Sequence, residues 1–390
     1  MISSNPHSRR RRGRFPLSGL LGRCDWLLLA AMGCLLAFSL LYIRCVGLKN
    51  PHVQSYWIRQ AVFAGIGLGV FVAASLVDYR RWWRQLAGGF YAVSVMLLVL
   101  VLWFGTTINS AKSWLALPGG LPAIQPAELA KPAVILFLSM LGSNSRLSGW
   151  KGHALVLAAG ALPIGLILLQ PDWGTVLVFL PTVAVILFLR GISWKAVGVV
   201  VLMGIAAAPL LYESMPEYRK DRIKTFLNLS EEVERTEANS KAMYTVEQSR
   251  LAIGSGGVWG KGYTNGTLHI LGHLPRPVAP SDLVYSVIGE EAGFAGAVTV
   301  MLALSVLIAR SLWIAWKAPD EFGFLLSAAV GVVLFIHTYV NIGMNIGAAP
   351  VVGIPLPLVS YGGSAVVGFM ACLGLVHSVH LRRRPSSPPR

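Results

Sequence analysis

The chain has 390 residues, 55% of them hydrophobic and only 13% charged, with a mean hydropathy of +0.62. So few charges exclude an ordinary water-soluble domain, and lipid is the solvent for most of the chain. A net charge of +16 would suit a nucleic-acid binder, but the charge sits in short clusters between apolar runs, which argues against nucleic acid as a partner.

In chain order, residues 1–24 form a basic arm expected in the cytoplasm, with Arg9 to Arg12, Arg14 and Arg23. The run at 26–43 is long and shows no small-residue cleavage site, so it reads as a signal anchor. Apolar runs of spanning length recur at 58–77, 86–104, 127–141, 154–169, 174–189, 196–212, 293–316, 322–340 and 363–379. Backbone in lipid must satisfy its own hydrogen bonds, and the alternating pattern of a barrel is absent. The expected fold is all-α, a polytopic membrane domain over residues 25–381 with about ten transmembrane helices.

Arg80, Arg81, Arg84, Arg146, Lys151, Arg190, Lys195, Lys317 and Arg382 to Arg384 fall on one side if the spans alternate. By the positive-inside rule both termini, including a tail at 382–390, are then cytoplasmic. The longest polar break, about 213–291 between the seventh and eighth spans, becomes an extracytoplasmic loop, as do 105–126 and 341–363. Within the long loop Glu231, Glu232, Glu234, Glu237 and Lys241 read as solvated, while 244–259 is amphipathic and expected to fold back on the membrane. Cys24, Cys34, Cys45 and Cys372 show neither a disulfide framework nor metal-ligand spacing and read as core packing.

Charged residues near span ends are the default site candidates, because a charge at membrane depth is costly unless paired or wetted. Glu128, Asp172, Asp282, Glu290 and Glu291 qualify. Pro126 suits a helix start, and Glu128 and Lys131 then share one face, as a structural ion pair or as a cation presented to an anionic substrate. Asp172 opens a span and reads first as a helix cap. Asp282 lies between a proline-stiffened turn and an apolar helix start, either as a cap or as a partly desolvated carboxylate suited to act as a base. The glycine-dense 254–262 segment with Lys261 could bring backbone N–H groups to a phosphate, or could simply be a turn. In 353–364, prolines and glycines imply irregular backbone that must line a cavity or pack on protein.

Residues 125–131, 170–175, 248–262 with Asn265-Gly266-Thr267, Ser281-Asp282 with 289–293, and 353–364 together resemble, in order and spacing, the SEDS family (shape, elongation, division and sporulation proteins), the RodA and FtsW group. The resemblance covers nearly everything beyond the basic arm, and the wording of 354–364 is closer to the RodA branch. It implies a peptidoglycan glycosyltransferase that polymerises lipid II on the outer face of the bacterial cytoplasmic membrane. Its implied partner is a class B penicillin-binding protein in a wall-elongation complex, and the family's essential acid falls on Asp282.

Turning an α-linked sugar pyrophosphate into a β-1,4 glycan inverts the anomeric centre, so a single displacement needs a base and no enzyme nucleophile. Asp282 is assigned that base, and Lys131, Lys112, Arg250 and Lys261 are the outward cations for the departing undecaprenyl pyrophosphate. Glu128, Gln125, Ser360 and Ser364 complete the expected substrate-binding set. A divalent cation, Mg or Mn, could share the charge, although the sequence shows no ligand set for it.

The chain departs from the family pattern in two places. A longer Arg276-Pro277-Val278-Ala279-Pro280 stretch precedes the acid, with Pro280 at the usual histidine and Ser281 at the usual threonine. Ser113 replaces the arginine before Trp114, so Lys112 is expected to supply its charge. A lipid II flippase is the rival reading, but it should carry a polar path across the midplane, whereas Glu128, Asp172 and Asp282 lie near outer ends. A non-catalytic scaffold would make Asp282 dispensable.

Overall fold

The apolar runs become helices because only hydrogen bonding within the segment satisfies the backbone in lipid. The computed structural model describes residues 22–48, 53–108, 111–116, 123–147, 149–193, 237–275 and 278–383, with the single positions 195, 198, 213 and 220. Its helices are α1 (Trp26–Leu48), α2 (Tyr56–Leu76), α3 (Arg84–Phe104), α4 (Pro126–Gly142), α5 (Gly149–Leu169), α6 (Trp173–Leu189), α7 (Glu237–Ser255), α8 (Thr267–Leu271), α9 (Val284–Glu291), α10 (Gly293–Trp316), α11 (Glu321–Ile346) and α12 (Gly363–Leu381). Among the described residues, seven helices are long and apolar enough to cross a membrane. The expected span at 196–212 and the acidic stretch at 231–234 lie outside the described residues, as do Arg276, Pro277 and most of the basic arm.

The all-α fold holds, with one small antiparallel hairpin in the loop after α3, β1 (Thr106–Ile108) with β2 (Ala111–Trp114). One expectation needs correction: 341–346 is helix rather than loop, because Asn341 and Asn345 are fully buried and find their hydrogen bonds inside the protein instead of in water.

Helix α12 is the core of the bundle, buried along nearly its whole length and packed on α2, α4 and α11. Glycines allow the close approach of α2 and α12: a Cβ at Gly374 would lie 2.7 Å from the Phe71 carbonyl. Helices α7 and α9 pack on each other and on α10 and α11, so the described part of the long loop is folded onto the bundle.

One end of the bundle collects the positive charge. Arg80 pairs with Asp320 at 2.7 Å, Arg382 with Asp78 at 3.5 Å, and Arg310 with the buried Asp25 at 2.7 Å. A cavity of about 510 Å³ opens there, lined by Arg80, Arg84, Lys317, Asp320 and Phe322. It lies at the start of α11, whereas Asp282 lies at the far end of that helix.

Candidate active site

The site assembles around residues 353–364, the segment between α11 and α12. Pro355 and Pro357 restrict it, and buried Leu358 sits at φ +62°, a left-handed conformation unfavourable for a branched side chain. Such backbone at membrane depth needs partners, and buried side chains supply them. Gln60 of α2 donates to Ser360 O at 3.0 Å and accepts from Gly362 N at 3.2 Å. Asn341 donates to Ile354 O at 2.8 Å, and His337 Nδ1 donates to Pro355 O at 2.9 Å. Ser360 Oγ accepts from Leu356 N at 2.8 Å and donates to Ser281 O, while Tyr361 N reaches Pro280 O at 2.9 Å.

These bonds stitch the segment to the turn that carries Asp282. Asp282 N donates to Val278 O at 2.9 Å, and its carbonyl accepts from Asn345 Nδ2 at 2.9 Å and Asn341 Nδ2 at 3.3 Å. The half-buried carboxylate lies against Gly353, at φ +75°, where an added Cβ would come within 3.4 Å of Oδ2. Asp282 is not itself at the N-cap position of α9, which is taken by Leu283 without a side-chain cap bond.

The expected pair on α4 is present and deeper than a surface bridge. Lys131 Nζ donates to Glu128 Oε1 at 2.6 Å, with both side chains 4% exposed. It also donates to His337 Nε2 at 2.9 Å and lies 5.6 Å from the Phe369 ring centre. Since Nδ1–H of His337 is spent on Pro355 O, Nε2 is the acceptor, which fixes the neutral tautomer. Lys131, His337 and the 353–364 backbone are therefore one network. An ammonium has three donors, and two of them have acceptors among the described residues. Val134, Phe179, Thr182 and Val333 pack beside Lys131 and leave no room for a water molecule.

Gln125 joins the same region: its N–H donates to Ser364 Oγ at 2.9 Å and its Nε2 to Asp172 Oδ2 at 2.9 Å. Asp172 is the expected cap, accepting from Thr175 N at 3.1 Å and Thr175 Oγ1 at 2.9 Å. Asp282, Lys131, Glu128, Gln125, Ser360 and Ser364 are thus brought together by α4, α11 and the 353–364 segment.

The other expected cations go elsewhere. Lys112 donates to Leu102 O at 2.7 Å, closing the end of α3. Arg250 is exposed on α7 with its stem against Gly347, where a Cβ would lie 3.2 Å from Arg250 Cδ. Lys261 pairs with buried Glu290 at 2.7 Å and with Thr267 Oγ1 at 2.8 Å. Glu290 also accepts from Thr267 N at 2.7 Å and Leu268 N at 2.9 Å. Burial pushes its carboxyl up, but bonds from His269, Lys261 and Leu268 N outweigh that and hold it well below the carboxylate range.

For 254–262 the packing favours the turn alternative. Its glycines are there for backbone contact: a Cβ at Gly256 would lie 2.0 Å from Gly289 O, and one at Gly260 2.0 Å from Glu291 O. The N–H groups of Lys261 and Gly262 are spent on the Glu290 and Glu291 carbonyls, both at 3.0 Å.

Sequence reasoning missed His337, Asn341, Asn345 and Gln60. The first three stand four residues apart and so share one face of α11. That polar stripe within an apolar run was the available signal, and a search restricted to charged residues passes over it.

Comparison with known proteins places this arrangement. The model of a family described as cell cycle protein (FtsW, RodA, SpoVE) matches residues 21–385. The chain is 34% identical over 357 residues to peptidoglycan glycosyltransferase MrdB of Escherichia coli, covering 90% of this chain and 93% of the relative. It is 30% identical over 376 residues to a probable peptidoglycan glycosyltransferase FtsW of Trichlorobacter lovleyi, covering 92% and 93%. Among solved structures, a chain of a peptidoglycan synthase complex that coordinates polymerization and crosslinking superposes with a TM-score of 0.73 at 30% identity, covering 92% of this chain and 97% of the other. Thermus thermophilus rod shape determining protein RodA superposes with a TM-score of 0.67 at 30% identity, covering 93% and 98%.

Proposed function

The chain belongs to the FtsW, RodA and SpoVE family of cell cycle proteins, and from that membership we infer that it is a multi-pass membrane peptidoglycan glycosyltransferase. The substrate in this reading is lipid II, polymerised during wall elongation. The carboxylate of Asp282 takes the proton from the acceptor 4-hydroxyl as that oxygen bonds to the donor C1, while the bond from C1 to the pyrophosphate breaks on the opposite face. One displacement inverts the centre and needs no covalent enzyme intermediate.

The observation that carries this assignment is the junction of Asp282 with Gly353, on a segment tied through Pro355 and His337 to the ammonium of Lys131. A base and a cation are thereby held by one network, with a donor of Lys131 left over for an anionic oxygen. Glu128 pairs with that buried ammonium and holds it in place. Ser360 and Ser364 position the turn of Asp282 and the start of α4 rather than meeting substrate first.

The positive end of the bundle lies opposite Asp282, which supports an extracytoplasmic site and cytoplasmic termini under the positive-inside rule. The match to a chain of a synthase complex supports a crosslinking partner of the class B penicillin-binding type. A Mg or Mn ion would have to be shared between Asp282 and the pyrophosphate, since the one cluster of three ligand side chains among the described residues lies elsewhere.

The test is polymer formation from labelled lipid II by the purified protein, with and without its partner, read on a gel. Asp282→Asn at equal folded protein is expected to lower the rate by about 10²–10⁴-fold. Polymer from Asp282→Asn at the wild-type rate would refute the assignment and favour a scaffold.

A further inference from the structure

At the other end of α9, Cys45 of α1, His269 of α8 and Glu291 of α9 converge, all three buried. Cys45 Sγ lies 2.8 and 2.9 Å from the two carboxylate oxygens of Glu291 and 3.6 Å from His269 Nε2, and Nε2 lies 3.3 Å from Glu291 Oε1. We propose that these three side chains bind a zinc ion that pins the 260–272 turn to the first helix.

Three observations support an ion over a purely hydrogen-bonded cluster. The first is ligand type: a thiolate, an imidazole and one carboxylate form the donor set of zinc, not of magnesium. The second is spacing. Bonds of about 2.3 Å to sulfur and about 2.0–2.1 Å to nitrogen and oxygen at tetrahedral angles put donor atoms roughly 3.3–3.6 Å apart. The sulfur–nitrogen and nitrogen–oxygen separations, 3.6 and 3.3 Å, already match. The shorter sulfur–oxygen contact is a thiol hydrogen bond, and it lengthens when the thiol proton is released and the metal takes its place. The third is the outer partner. His269 Nδ1 faces Glu290 Oε2 at 3.3 Å, the carboxylate-to-histidine contact that leaves Nε2 as a metal donor.

The charges fit the same account. Glu290 has its own cation in Lys261, whereas Glu291 has, among the described residues, the N–H groups of Thr264 at 3.1 Å and Gly266 at 3.2 Å, the thiol and the shared imidazole. The buried Glu291 carboxylate has no lysine or arginine partner among the described residues, and a divalent ion that displaced the Cys45 proton would supply the missing positive charge. Asp282 lies just before α9 and Glu291 ends it, so this eight-residue helix sets the zinc site about 10 Å along its axis from the proposed base, in a structural role.

The experiment uses the full-length protein carrying a tag without histidine, incubated with zinc, freed of excess metal by gel filtration and measured by elemental mass spectrometry. Wild type is expected to hold about one zinc per chain, and cobalt put in its place should show a thiolate-to-cobalt charge-transfer band. Cys45→Ser should lose that band, and Cys45→Ser and His269→Gln should each bind zinc at least ~10-fold more weakly. Stripping the metal should lower the melting temperature of the wild type more than that of either variant. Wild type without zinc, cobalt bound without the band, or variants that retain zinc as wild type does would each overturn the proposal. If a variant fails to fold, the zinc content and cobalt spectrum of the wild type decide alone.

Discussion

Two buried glutamates of this protein are each paired with a lysine, and the two pairs are built for different work. On α4, Glu128 and Lys131 are both 4% exposed, and the only other polar group on the ammonium among the described residues is His337. At the end of α9, Glu290 is fully buried while Lys261 is 26% exposed, and the carboxylate accepts from two backbone N–H groups, a hydroxyl and His269 besides. In the second pair the carboxylate is the hub and the lysine one donor among several. In the first, the lysine is the hub, held by one carboxylate and one imidazole among apolar side chains. From sequence both lysines were candidates for holding a pyrophosphate, Lys131 the stronger, and what separates them in the structure is whether the cation's charge is already shared out.

The largest effect expected from this contrast is at Lys131. Lys131→Ala leaves Glu128 charged and uncompensated in the bundle, which should cost about 3–5 kcal/mol and show as a lower melting temperature in detergent. Polymer formation should be lost as well. The double variant Glu128→Gln with Lys131→Met removes the stranded charge, so its melting temperature should recover while polymer stays absent. Recovery of polymer together with stability would reduce Lys131 to a packing element and erase the distinction between the two pairs.

Gly256 tests the structural side of the second pair. Its Cα faces Gly289 O so closely that a methyl would sit 2.0 Å from that oxygen, and backbone cannot yield as a flexible side chain can. Gly256→Ala should cost about 2–3 kcal/mol by overpacking, read as a fall in melting temperature. A neutral result would mean that the glycine loop is not seated on α9.

Lys261→Met should matter less. Glu290 keeps its N–H donors and His269, so a loss of about 1–2 kcal/mol is expected, discounted for the partial exposure of the lysine. Polymer yield per folded molecule should stay near the wild type. A selective rise in the lipid II concentration needed for half-maximal rate would return Lys261 to the substrate site.

The contrast also shows what the sequence could disclose. Hydropathy located the seven spanning helices seen among the described residues, since a helix is the only open-chain solution in lipid, and the Glu128–Lys131 spacing foretold its pair because one helix carries both residues. Asp172 was legible as a cap for the same local reason. What stayed hidden depended on contacts between distant segments. Nothing near Lys261 announces a carboxylate 29 residues away, and nothing near Cys45 announces a glutamate 246 residues away. Glycine clusters look alike whether their exposed N–H groups serve a phosphate or a neighbouring carbonyl. The stripe of His337, Asn341 and Asn345 was readable in principle, yet its purpose, holding irregular backbone beside Asp282, required seeing which segment lies opposite.

The smallest effect belongs to Lys112, the cation that resemblance alone had offered as a replacement for an arginine. Its ammonium closes the carbonyls of Leu102 and Trp103 at 2.7 and 3.5 Å, at the negative end of the α3 dipole. Replacing it with methionine removes one charge-assisted bond at a part-exposed helix end, worth about 0.5–1 kcal/mol, because water can reach the freed carbonyls. The melting temperature of Lys112→Met should therefore shift only slightly, and polymerisation should continue. If activity collapsed while the melting temperature held, the ammonium would have to leave α3 for the substrate during turnover. Lys112 would then stand with Lys131 as a working cation, and a cation's contacts in the resting protein would no longer suffice to tell a structural lysine from a functional one.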